Sequence, residues 1–128
     1  MEPKLISTII CEDAVMPAGL LTLYNLLRDH TLFAGRFPAR CPQVCVATTW
    51  LGPATGEFTV RVVIIQDAAT LLAEASATFS MDGKTTYYLL SSFRPLVIPE
   101  PGTYQVQVWL AGRQVAEVPL RVIGREEK

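Results

Sequence analysis

Between residues 57 and 66 apolar and polar side chains alternate. Phe58, Val60, Val62 and Ile64 fall on one side of an extended chain, with Thr59, Arg61, Val63 and Ile65 on the other. A period of two marks a strand, because successive side chains point to opposite faces. The same period runs through 71–80, where Leu71, Ala73, Ala75, Ala77 and Phe79 alternate with Leu72, Glu74, Ser76, Thr78 and Ser80. It returns in 103–111, where Tyr104, Val106, Val108 and Leu110 alternate with Gln105, Gln107 and Trp109. No window of similar length carries a 3.6-residue stripe. Residues 20–28 are apolar enough for a helix, but Pro17 and Gly19 precede them and Thr22 and Tyr24 interrupt them. A strand buried on both faces is expected there. The pattern predicts strands over 4–11, 20–28, 43–51, 57–66, 71–80, 85–93, 103–111 and 114–123, with little helix.

The breaks between these segments have turn chemistry. Asp82-Gly83 lies between Phe79 and Tyr87-Tyr88 and predicts a two-residue hairpin, since both residues tolerate positive φ. Gly112-Arg113 predicts a second hairpin, and Pro101-Gly102 suits a type II turn. Residues 35–42, with Pro38 and Pro42, form the longest irregular stretch. Pro119 cannot donate to a ladder, so the last strand is expected at an edge or with a bulge. Many short strands with tight turns predict an all-β fold, an immunoglobulin-like antiparallel sandwich of two sheets and about eight strands, in one domain over 1–128. Gly102-Thr103-Tyr104-Gln105-Val106 favours that sandwich. It puts Tyr104 at the start of the penultimate strand, where such domains use a tyrosine hydroxyl to tie down a corner. Val106 then stands where antibody domains carry the second cysteine.

Composition narrows the function classes. The chain has 128 residues, 50% of them hydrophobic and only 18% charged, against about 25% charged in a typical domain. So little charge leaves few residues to solvate the surface and suggests that part of it is covered by another chain. Net charge is −1 and the eleven Lys and Arg are scattered, so no nucleic-acid partner is expected. No stretch is long and apolar enough to suggest a membrane span or a leader. Three cysteines, an odd number, with no export signal point to reduced thiols and a cytoplasmic setting.

Ile9-Ile10-Cys11-Glu12-Asp13, followed by Gly19-Leu20-Leu21-Thr22-Leu23-Tyr24, resembles the opening of a family of uncharacterised bacterial proteins of this length. That family starts with an apolar-Cys-acidic-Asp motif. The resemblance covers nearly the whole chain. It implies a β-sandwich and carries no known activity, so no catalytic residue follows from it.

Candidate chemistry is sparse. His30 is the only histidine, so a Ser-His or Cys-His mechanism would need it, and it is expected to be a surface residue. Cys41 and Cys45 are spaced like metal ligands, but structural zinc takes four, and only Cys11 and His30 remain. Glu12-Asp13 is the only adjacent acidic pair before the C-terminal Glu126-Glu127. In a strand its members point to opposite faces, which works against acid–base cooperation. Asp13, Asp29, Asp67 and Asp82 are scattered rather than gathered for calcium. No phosphate loop or cofactor motif occurs. Arg36 and Arg40 flank Phe37 and Pro38, and arginines beside an aromatic can bind an anion or a partner, though solvated loop residues are expected.

A non-enzymatic interaction or structural module follows, without cofactor or metal, binding a protein partner or itself. If Val60, Val62 and Ile64 face the core, then Val63, Ile65, Tyr88, Leu90 and Trp109 form an outward apolar face, and a homodimer is expected through it. The alternative is a small-molecule or carbohydrate-binding sandwich with a stacking platform of Trp50, Trp109, Tyr87 and Tyr88. A hydrolase would rest on His30 and the acidic pair alone.

Overall fold

The alternating segments fold as strands. The computed structural model describes residues 2–16, 20–67, 70–81 and 86–124. Its strands are β1 (Lys4–Val15), β2 (Thr22–Leu26), β3 (Thr31–Ala34), β4 (Ala39–Cys41), β5 (Val44–Leu51), β6 (Glu57–Asp67), β7 (Thr70–Ser80), β8 (Thr86–Phe93), β9 (Leu96–Ile98), β10 (Gly102–Leu110) and β11 (Arg113–Gly124). Each of the eight expected segments contains a strand. The additional three, β3, β4 and β9, are too short to show a period. The one helical element among the described residues is a 3-10 turn at Arg28–His30.

Two sheets face each other. One has the order β2-β1-β5-β8 and the other β3-β11-β10-β6-β7, while β4 and β9 pair separately. The core of this arrangement, β1-β5-β8 over β11-β10-β6-β7, is the immunoglobulin-type sandwich, with one extra strand on each sheet. Strands pair antiparallel except β3, which joins β11 in parallel. The inward residues make one core, with Ile10, Val46 and Trp50 from one sheet meeting Val62, Ile64, Val106 and Val108 from the other. Val106 is fully buried, so packing takes the place of the inter-sheet disulfide of antibody domains.

Two polar groups inside this core have their partners. The buried Trp50 Nε1 donates to Thr48 Oγ1 at 3.0 Å. Tyr104, 1% exposed, donates its hydroxyl to the Glu100 carbonyl at 2.5 Å and so spans the turn from which β10 grows. Among the described residues no buried side-chain nitrogen or oxygen lacks a hydrogen-bond partner, as a stable core requires.

The structure corrects several local expectations. β2 is not buried on both faces but is an edge strand, with Tyr24 and Leu26 exposed. β1 runs on to Val15 instead of ending at residue 11. Asp82-Gly83 lies outside the described residues. The strands on either side of it do not form a hairpin, since β7 pairs with β6 and β8 with β5 across the two sheets. The connection carries the chain from one sheet to the other, and turn chemistry is blind to that. The β10–β11 hairpin is present, but it turns on Ala111-Gly112, at φ 50° and 82°, and Arg113 already belongs to β11. Pro119 pairs with Gln105 on one side. β3 covers the other side of β11 only from Arg121 to Gly124, so the proline sits where the strand is still an edge.

Candidate functional site

A concavity follows from the path of residues 27–43. After β2 the chain leaves the four-stranded sheet. The 3-10 turn places His30 N on the Leu27 carbonyl at 3.1 Å, and β3 joins the opposite sheet. The chain then returns through Gly35–Pro38 and β4 to enter β5. This crossover stands off from the end of β1 and leaves a cleft of about 790 Å³, within the size range of ligand pockets. Leu27, Leu32, Ala39 and Val44 supply apolar lining.

Polar groups at the cleft come from both walls. On β1, Glu12 accepts a hydrogen bond from Asn25 Nδ2 at 2.8 Å. Asp13 accepts one from Gln43 Nε2 at 2.6 Å and one from the Ala14 amide at 2.8 Å. The two carboxylates thus have separate partners. Arg36 and Arg40 line the crossover wall. Cys41 also lines the cleft and is half-buried, and burial raises its pKa. It is therefore a packed thiol, not an activated thiolate. Cys11 and Cys45 are fully buried register partners on β1 and β5. Burial, with Cys45 next to it, pushes the Cys11 thiol up to about 12. His30 is half-buried at φ 51° and does not line the cleft that holds the carboxylates.

The expected outward face does not exist as one surface. Val63, Ile65 and Trp109 belong to the five-stranded sheet, and Tyr88 and Leu90 to the four-stranded sheet on the other side of the sandwich. Val63 is only 2% exposed, although it lies outside the central core. Its row across the sheet is Glu74–Val63–Gln107–Glu117. On one side Arg61 reaches Glu74 at 2.6 Å. On the other, Trp109 Nε1 donates to Gln107 Oε1 at 3.2 Å and Gln107 Nε2 to Glu117 Oε2 at 2.8 Å. The stems of these polar side chains shelter the valine, as long amphipathic residues do. Ile65 and Trp109 are half-buried.

The aromatic platform also dissolves. Trp50 is wholly inside the core, and Tyr87 stacks on Phe79 at 4.4 Å in its flank. Tyr88 and Trp109 lie on different sheets. Trp50 and Tyr87 were misplaced because period two fixes which residues share a face, not which face is inside.

The solvent side of the four-stranded sheet is different in kind. Three rows cross β1, β5 and β8: Ser7–Thr49–Tyr88, Ile9–Ala47–Leu90 and Cys11–Cys45–Ser92. None of these nine residues is charged. Leu26, 58% exposed, continues the last row on β2, and exposed Leu51 follows at the other end of β5. Ile9, Ala47, Leu26 and Leu51 were not legible as members of one surface, because it forms only when β5 pairs with β1 and β8.

No curated protein matches the sequence. Among solved structures, the chain is similar to an alkylpurine DNA glycosylase of Pseudomonas fluorescens bound to DNA containing an abasic site analog. The TM-score is 0.57 at 14% identity, over 94% of this chain and 30% of the glycosylase. It also matches an immunoglobulin-like protein from Pseudomonas aeruginosa, with TM-score 0.42 and 10% identity over 96% of this chain and 98% of that one. A β-glucosidase from Erythrobacter marinus matches with TM-score 0.43 and 14% identity, over 91% of this chain and 15% of the enzyme. The chain thus spans under a third of the glycosylase, and at this identity the likeness is one of fold. The model of a family of unknown function, DUF6941, matches residues 6–123, and the chain belongs to that family.

Proposed function

We propose that the domain is a non-enzymatic interaction module that binds a second copy of itself through the solvent face of its four-stranded sheet. The observation that carries this is the uncharged block of three rows described above, extended by Leu26 and bordered by Leu51 and its register partner Lys4. Cys11, Cys45 and Ala47 are already covered within the chain, so what a monomer leaves in water is chiefly Tyr88, Leu26 and Leu51, at a cost of roughly 25 cal/mol per Å² of apolar surface. A two-fold contact sets a patch against itself, and a patch without charges meets no like charge in doing so. A nucleic-acid partner is left out, because net charge is −1 and the basic residues are scattered. The free state of Cys11, Cys41 and Cys45 supports a cytosolic setting for the module.

Light scattering after size exclusion is expected to give about twice the 14.1 kDa chain mass. Leu90→Glu and Tyr88→Glu are each expected to shift the protein to monomer. Trp109→Glu, on the opposite sheet, is expected to leave the mass unchanged. A wild type that stays monomeric at high micromolar concentration would end the self-association proposal.

A further inference from the structure

The cleft beside the crossover carries charge of both signs, held apart. Glu12 and Asp13 stand on the β1 wall, on opposite faces of the strand, each engaged by a neutral amide, Asn25 or Gln43. Arg36 and Arg40 stand on the crossover wall, both exposed, and neither has an ion pair or side-chain hydrogen bond among the described residues. Apolar lining lies with them. A net anion entering here would gain from the arginines and lose to the carboxylates, and a net cation the reverse. A molecule with a charge of each sign at its two ends meets both walls favourably. The volume of about 790 Å³ exceeds what one amino acid fills and falls in the range of pockets for larger small molecules.

We propose that this cleft binds a short apolar peptide with both termini free. Its carboxylate pairs with Arg36 and Arg40, its ammonium faces Glu12, and its side chains cover Leu27, Leu32 and Ala39. Guanidinium forks suit the carboxylate, since they pair with it through two parallel hydrogen bonds. The Glu12 carboxylate keeps lone pairs for the ammonium beyond the Asn25 amide it already accepts.

Cys41 makes the cleft measurable. It lines the cleft and is half-buried, whereas Cys11 and Cys45 are wholly buried, so a thiol reagent acts on Cys41 first in the folded protein. Iodoacetamide labelling, followed by mass spectrometry, is run with trileucine, with N-acetyl-trileucine and with trileucine amide. Trileucine is expected to slow labelling several-fold, and each capped peptide much less. The Arg36→Gln, Arg40→Gln double variant is expected to lose the protection, read as the ratio of its own labelling rates with and without peptide. Both arginines are exposed, so the fold is not at stake, and an unchanged circular dichroism spectrum checks this. Equal slowing by all three peptides overturns the requirement for two free ends. No slowing by trileucine at millimolar concentration overturns the site. Cys11 belongs to both the cleft and the proposed dimer face, so labelling with and without peptide is compared at one protein concentration while light scattering on the same sample reads self-association separately.

Discussion

Tyr104 shows how much one side chain holds. Its ring fills the core and its hydroxyl reaches the Glu100 carbonyl, so the strand start and the preceding turn are tied through one atom. Tyr104→Phe keeps the ring and removes the bond. It is expected to lower unfolding free energy by about 0.5–1.5 kcal/mol, the net worth of one such bond, as read from the denaturant midpoint. Cys11 offers a second test. Its thiol pKa is raised from 9.0 to about 12, first by burial and then by the neighbouring Cys45. The folded state therefore holds the proton more tightly than the unfolded chain. The stability this represents is complete below pH 9 and is lost as pH rises from there towards 12, at up to about 1.4 kcal/mol per pH unit for one proton. Cys11→Val removes that titration. Its unfolding free energy is expected to fall less steeply above pH 9 than the wild type's.

At the scale of elements, the long strands were legible because each shows several periods of alternation, and β6, β7 and β10 lie where the pattern puts them. The short ones were not. β3, β4 and β9 have no room for a period: β3 forms on the free edge of β11, and β4 and β9 form by pairing with each other. The edge character of β2 was hidden for another reason: its apolar residues imply burial, yet it has a partner on one side only. The β10–β11 turn shows local chemistry at work in a different register. Ala111 and Gly112 both have positive φ, the conformation of a type I′ turn, which favours Asn-Gly. An alanine Cβ in that region costs about 1–2 kcal/mol, and asparagine visits it more readily. Ala111→Asn is expected to raise the thermal midpoint, by a gain of about 1 kcal/mol, whereas Gly112→Ala is expected to lower it by a similar amount.

For the whole molecule, the partition of strands between sheets decides which apolar residues can act together, and this is what alternation along one chain cannot encode. On the five-stranded sheet the outward residues of β6 and β10 share their face with the polar bridges Arg61–Glu74 and Trp109–Gln107–Glu117. On the four-stranded sheet those of β8 share theirs with Ile9, Ala47 and Leu26. The two outer faces should then respond differently to solution conditions. Salt screens exposed charges over roughly 10 Å at 0.1 M, so association through a charged face weakens as salt rises. Association through the uncharged rows of β1, β5 and β8 has no such term. Its driving force is burial of apolar surface, which strengthens when sulfate is excluded from the protein surface. The dimer dissociation constant, measured by sedimentation, is therefore expected to stay level across a sodium chloride series and to fall in sodium sulfate. A dissociation constant that rises steadily with sodium chloride would place the contact on the face that carries Arg61, Glu74 and Glu117.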